Sequence, residues 1–358
     1  METLERESKR RVDHIFDYII SVENLLSAWQ EFLRGKRERQ DVKNFSIALS
    51  DNILNLHREL ISKTYQHGSY ESFKINDPKP RDIHKANVRD RLLHHAIYRV
   101  LYPYFDPKFI FDSYSCRLGK GTHRALNRFR EFERKASHNN TGTAWILKGD
   151  IRKFFANINH GILLGILRRK IPDENIIWLL EKIINSFHAG NNPDIGLPLG
   201  NLTSQLLVNI YMNEFDHFIK QDLKITCYIR YADDFVIFHE SKKYLENILP
   251  IISSFLKNYL KLSLHPDKVF VKTIASGMDF LGWANFPHHR VLRTASKKRM
   301  LKNLKEKSLT SYSGLLSYGD TYKLQQKIIE RLTDPEQKLF FQQKCPKIKE
   351  SKAKRQKN

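Results

Sequence analysis

Residues 225–240 read ITCYIRYADDFVIFHE, two β-rich runs on either side of a polar turn. Short runs of β-branched and aromatic residues flanking turn formers predict a hairpin. Its turn sets Asp233 beside Asp234 between apolar strands, where two carboxylates repel each other unless a cation is bound. Asp also favours turns for local reasons, so the pair by itself is compatible with ordinary turn chemistry. A third carboxylate, Asp150, stands in TAWILKGDIRKFFANI (143–158), at the end of a run from Trp145 to Leu147 that reads as a buried strand. Hard divalent ions take oxygen ligands, and a pair of them about 3.5 to 4 Å apart stabilises both the attacking and leaving oxygens of an in-line phosphoryl transfer.

Around these segments the pattern is mixed α and β. Residues 1–69 carry helical periodicity (Ile15, Ile19, Leu25, Leu26, then Leu49, Leu56 and Leu60), interrupted by the charged run Arg34 to Arg39. ESFKINDPKPRDIHKANVRDR (71–91) is extended and basic, and Pro78 and Pro80 suit a loop or edge ribbon. Helices are predicted over 92–104, 161–187, 201–220 and 243–261; Thr203 and Ser204 are candidate caps of the third, with Leu207, Tyr211, Phe215 and Phe218 on one face. Strand-like pieces recur at 268–273 and 278–283. Beyond Phe286 the chain is polar and helical, ending in the basic stretch KIKESKAKRQKN, expected to be disordered.

Lys and Arg number 61 against 39 Asp and Glu, a formal charge of +22 spread along the chain, which points to a polyanionic partner. METLERESKRR lacks the apolar run of a signal peptide and no uncharged apolar stretch reaches the length of a spanning helix, so a cytoplasmic protein without membrane association is expected. Cys116, Cys227 and Cys345 lie far apart without CxxC spacing and read as reduced thiols. The adjacent pairs His94-His95 and His288-His289 would point their rings in different directions, which argues against a shared metal.

Taken in order, YADD, KGDIRKFFANI, GLPLGNLTSQ (196–205), HPDKV (265–269) and GMDFLGW (277–283) resemble the motifs of the reverse transcriptases over roughly residues 70–325. The resemblance implies an α+β right-hand polymerase fold of fingers, palm and thumb, the palm a ferredoxin-like antiparallel sheet and the thumb helical. It divides the chain into a helical lead-in (1–69), fingers and palm (70–284), thumb (285–345) and basic tail (346–358), with no room for a ribonuclease H domain. It implies two Mg2+ ions, with Mn2+ as a substitute, held by Asp150, Asp233 and Asp234, with Ile151 in the metal set. Lys268 aligns with a late Lys that protonates departing pyrophosphate. At the incoming nucleotide it places Lys79 and Arg81 on phosphate, Phe155 beneath the sugar as a steric gate against a 2′-hydroxyl, and Leu199, Gly200, Gln205 and Tyr231 around it. Arg117, with Lys120, resembles a fingers motif that contacts nucleotide or template. Implied partners are a template RNA, a primer or cDNA strand and dNTPs.

Within the family, an aliphatic Leu199 before Gly200 and a loop closing Ser204-Gln205 are similar to the reverse transcriptases of diversity-generating retroelements. Retroviral and group II intron enzymes usually place Gln before the Gly and end the loop Ser-Pro. That resemblance implies a structured template RNA, cDNA substituted at template adenines, and a small basic accessory protein. Competing readings are a group II intron-like, retron-like or phage-defence enzyme, and a basic RNA-binding scaffold without activity. Three converging carboxylates speak against the scaffold.

Overall fold

The apolar stripes of the N-terminal helices need a partner, and Val88–Phe105 supplies it in the computed structural model, which describes residues 15–76 and 80–344. By its contacts the chain forms two units: Met1–Gly119 with Gly149–Phe235 and Ile248–Val269, and Lys120–Lys148 with Val236–Asn247 and Phe270–Asn358. Lys79 and the tail 346–358 lie outside the described residues.

In the first unit, Val22–Phe32 buries Leu25, Ala28, Trp29 and Phe32, and the Asn24 amide crosses to donate to Ala96 O at 3.2 Å. The basic ribbon is an antiparallel pair, β1 (Tyr70–Ile75) and β2 (Arg81–Ala86), in register from Tyr70↔Ala86 to Ile75↔Arg81. The next helix starts four residues before the expected Leu92, because Asn87 Oδ1 accepts from Asp90 N at 2.8 Å and caps it there.

The single helix expected over 161–187 is two, His160–Lys170 and Glu174–Ile184. Pro172 cannot continue the first, and Asp173 caps the second through bonds from Asn175 N and Ile176 N. Leu202–His217 ends before Phe218, which opens a wider turn over Phe218–Asp222. Its expected caps Thr203 and Ser204 are buried inside the helix, and Asn201 stands at the cap position without capping.

Four strands form one sheet in the order β4 (Tyr228–Tyr231), β5 (Asp234–His239), β3 (Trp145–Asp150), β6 (Phe270–Thr273). β3 and β6 are antiparallel, Trp145 opposite Thr273 and Lys148 opposite Phe270. This is the sheet anticipated for a palm. In the second unit, Phe129 of helix Thr122–Ala136 packs edge-on to Phe238 and stacks on Phe280. Phe280 belongs to a three-stranded sheet, β7 (Met278–Phe280), β8 (Trp283–Asn285) and β9 (Arg290–Leu292). Among the described residues four helices follow, from Thr294–Lys302 to Pro335–Lys344. Among the described residues no helix is long and apolar enough to cross a membrane.

Candidate active site

Ala232 and Asp233 form the two-residue link between β4 and β5, and Ala232 holds φ of +56°, the left-handed region an alanine enters only at some cost. The third carboxylate is brought to this turn by main-chain bonds. Ile151 N–H donates to Asp233 O at 3.2 Å, while His265 N–H donates to Asp150 O at 2.8 Å and Arg152 N–H to Ser263 O at 2.9 Å. Just before Asp150, Gly149 lies so close over the Phe235 ring that a Cβ there would stand 2.2 Å from its Cζ. Glycine at 149 therefore lets the strand that ends in Asp150 sit directly on the residue that follows Asp234.

Charge in this cluster is unbalanced. Burial pushes the Asp233 carboxyl up to about 6, the neighbouring charges of Asp234 and Asp150 push the same way, and Lys268 only partly opposes them. Lys268 Nζ donates to Asp150 Oδ1 at 2.8 Å, with the Asp150 side chain 11% exposed. Among the described residues, no three His, Cys, Asp or Glu side chains gather closely enough to hold one ion by themselves. The donor set nonetheless fits Mg2+, which prefers oxygen and is commonly bound through one or two carboxylates with substrate phosphates completing its shell.

After Asp150, Phe154 is buried and Phe155 half-buried, their rings 5.5 Å apart and nearly perpendicular. Phe155 O accepts from Leu197 N at 2.8 Å, joining the turn after Asp150 to the 196–205 loop. That loop is fastened to β2: His84 N–H donates to Leu199 O at 2.9 Å, and the Asn201 amide donates to His84 O at 2.7 Å while its Oδ1 accepts from Ala86 N at 3.3 Å. Gly200, at φ of +114°, passes Ile83 with no space for a side chain. Leu199, Gln205 and Tyr231 are half-buried, Gly200 is exposed, and Arg81 is exposed at the start of β2.

Arg117 is engaged by its own loop. Its Nε donates to Asp106 Oδ1 at 2.7 Å, Nη1 to Ile110 O and Ser113 O, and Nη2 to Asp106 O, leaving the side chain 6% exposed. A guanidinium committed to so many acceptors has little left for phosphate. His94 faces His67 across 3.3 Å whereas His95 meets Phe32 edge-on, so the adjacent pair does diverge. Cys116 and Cys227 are free thiols.

The sequence pattern did not single out Asn201 or Gly149. It also missed Arg230 and Asp216, buried partners beneath the turn. The only trace of that pair is a charged residue within an apolar strand and an Asp on the apolar face of a helix.

Residues 73–284 match the family model described as reverse transcriptase (RNA-dependent DNA polymerase). The chain is 27% identical to Protein YkfC of Escherichia coli (strain K12), over 68% of this chain and 71% of that protein. It is 24% identical to Group II intron-encoded protein LtrA of Lactococcus lactis subsp. cremoris, over 88% of this chain and 63% of that protein. Among solved structures, telomerase from Candida albicans superposes with a TM-score of 0.52 at 13% identity, covering 83% of this chain and 59% of that one. At that identity the likeness concerns the fold alone, a right-hand polymerase fold.

Proposed function

The chain belongs to the reverse transcriptase family of RNA-directed DNA polymerases, and we propose that it copies a template RNA into cDNA at the site built from Asp150, Asp233 and Asp234. The observation that carries this reading is the Ile151 N–H to Asp233 O bond, which brings the end of β3 against the carboxylate turn. Two Mg2+ ions, when bound, would stabilise the attacking and leaving oxygens of nucleotidyl transfer. Asp150, Asp233 and Asp234 would hold them, with Ile151 contributing through its main-chain carbonyl.

The chain's own residues do the rest. Lys268, which bonds to Asp150, would move to a phosphate once that carboxylate is neutralised and hand a proton to departing pyrophosphate. Phe155 would exclude a 2′-hydroxyl by ring volume. Arg81, with Lys79 nearby in sequence, would grip the triphosphate. Leu199 and Gly200 would shape the base and sugar pocket, flanked by Gln205 and Tyr231.

The finer reading is an error-prone enzyme of a diversity-generating retroelement, working with a structured template RNA and a small basic accessory protein. Leu199 supports it: an aliphatic side chain offers shape where an amide would offer an oriented hydrogen bond. The match to LtrA over 88% of this chain favours a second reading, a group II intron-type enzyme. Primer extension on an RNA template with dNTPs, with and without Mg2+, tests the core proposal. Asp233→Asn or Asp150→Asn should remain folded and lose at least ~1,000-fold in rate, several kcal/mol of transition-state stabilisation. Near-normal extension by either variant would reject the site. Sequencing the cDNA separates the two finer readings, since only the first expects errors concentrated opposite template adenine.

A further inference from the structure

Directly beneath the carboxylate turn lies an ion pair that the reaction as described does not use. Arg230 and Asp216 have side chains 1% and 0% exposed. Arg230 Nε donates to Asp216 Oδ1 at 2.7 Å and Nη2 to Oδ2 at 2.6 Å, a two-pronged pairing, and Tyr228 OH donates to the same Oδ1 at 2.7 Å. The remaining donors reach outward: Nη2 to Ser113 Oγ at 3.0 Å, Nη1 to Asn209 Oδ1 at 3.4 Å, and Nη1 to Ala232 O at 3.2 Å. The Arg230 main chain is fixed as well, its N–H donating to Asp112 O and its carbonyl accepting from Tyr114 N, both at 3.0 Å.

Stability alone does not account for this arrangement. Two charges taken out of water lose so much hydration that well-packed apolar residues of similar volume often do as well or better. What an apolar replacement cannot do is donate to a carbonyl. The carbonyl in question belongs to Ala232, the left-handed residue immediately before Asp233, and strained backbone of this kind persists only where its surroundings over-determine it. Guanidinium is the side-chain group whose rigid planar fork can hold a carboxylate and aim a further N–H elsewhere.

We propose that Arg230, clamped by Asp216, is a positioning residue for the catalytic turn: through the Ala232 carbonyl it sets the direction in which Asp233 and Asp234 present their oxygens. This rests on the reading of those carboxylates as the metal-binding site. Lys at 230 keeps the charge for Asp216 but is a single point and cannot also hold Ala232 O. The combined replacement Tyr228→Phe, Asp216→Leu, Arg230→Met removes charges and hydroxyl together and leaves no buried charge unpaired, while Ser113 Oγ, Asn209 Oδ1 and Ala232 O each lose the Arg230 donor.

The experiment compares wild type, Arg230→Lys and the combined variant by melting temperature, by Mn2+ affinity from electron paramagnetic resonance, and by primer extension. The combined variant should melt near wild type, yet bind Mn2+ roughly 10- to 100-fold more weakly and extend roughly 100-fold more slowly, the cost of an ångström-scale misplacement. Arg230→Lys should show the same two losses. Wild-type Mn2+ affinity and extension in either folded variant would overturn the proposal, and so would failure of both to fold, which would make the pair a folding determinant only. A wild type that binds Mn2+ but never extends a primer would instead remove the polymerase reading, leaving the Mn2+ comparison to decide the role of Arg230.

Discussion

Replacing Gly149 by alanine adds one methyl group where the structure has no room for it. The new Cβ would stand 2.2, 2.4 and 2.9 Å from Cζ, Cε1 and Cε2 of Phe235, where ordinary contact begins at 3.4 Å. The ring cannot swing aside freely, being fully buried with Phe215 edge-on at 5.3 Å and Tyr228 at 6.3 Å. Overpacking of this kind costs about 1–3 kcal/mol. That is survivable for a domain with roughly 5–15 kcal/mol of stability, so Gly149→Ala should fold. Its activity should suffer far more than its stability. The strain must be relieved by moving Gly149 or Phe235, and these adjoin Asp150 and Asp234; an ångström-scale displacement of reacting geometry costs roughly 100-fold in rate. Thermal melts and single-turnover primer extension measure the two effects separately. Adding Phe235→Leu, which shortens the opposing side chain, should return part of both. If Gly149→Ala melted and extended like wild type, the close approach would have no bearing on the carboxylates and the reasoning would fail.

Phe155→Ala should admit ribonucleotides, raising rNTP relative to dNTP incorporation roughly tenfold or more; an unchanged ratio in an active variant would reject the gate. Glu133 offers a pH prediction: burial pushes its carboxyl up to about 7, against only partial help from Arg130 and Arg134, and its Oε1 has no hydrogen-bond partner. The unfolded chain releases this proton near 4.5 while the folded protein holds it to about 7, so stability should fall as pH rises through that window and stay lower above it. Glu133→Gln should lack that decline, so melts of both proteins at pH 5 and pH 8 should diverge at the higher value; a constant difference would refute it. Leu199→Gln should lower misincorporation by roughly tenfold for each ~1.4 kcal/mol of selectivity the added hydrogen bond restores. Equal error spectra from two active enzymes would remove Leu199 from the explanation.

The carboxylates were legible because each occupies a place that local pattern defines: Asp150 ends an apolar run, and Asp233 and Asp234 interrupt two others. The sheet that carries them could be read from the same runs. Arg117 looks available as a basic residue in a Gly-rich loop, while the acceptors that occupy it include the carbonyls of Asp106, Ile110 and Ser113. A carbonyl leaves no mark in sequence, since every residue has one. Arg230 and Asp216 were invisible for a different reason: they sit on a strand and a helix, and nothing in either period says which charged residues will meet. The break at Pro172 was written in the sequence, but helical periodicity on both sides concealed it.

Asn201 shows how such hidden contacts bear on specificity. Read locally, an Asn before a helix is a cap; in the structure its amide instead spans His84 O and Ala86 N on a strand more than a hundred residues earlier. With the His84 N–H to Leu199 O bond, this fastens the loop to β2 on either side of Gly200. Two of these three bonds use the Asn201 side chain and the third uses only the Leu199 main chain. None of them depends on the Leu199 side chain. A substitution there should therefore change what the pocket offers the nucleotide without moving the loop, so an altered error spectrum in Leu199→Gln would report on the side chain itself. Asn201→Ala should do the reverse: it keeps Leu199 but releases the loop from β2, and the loss of two hydrogen bonds, ~1 kcal/mol each, should appear as slower extension at every template base. A base-selective effect of Asn201→Ala, or a uniform slowing by Leu199→Gln, would contradict this division of labour.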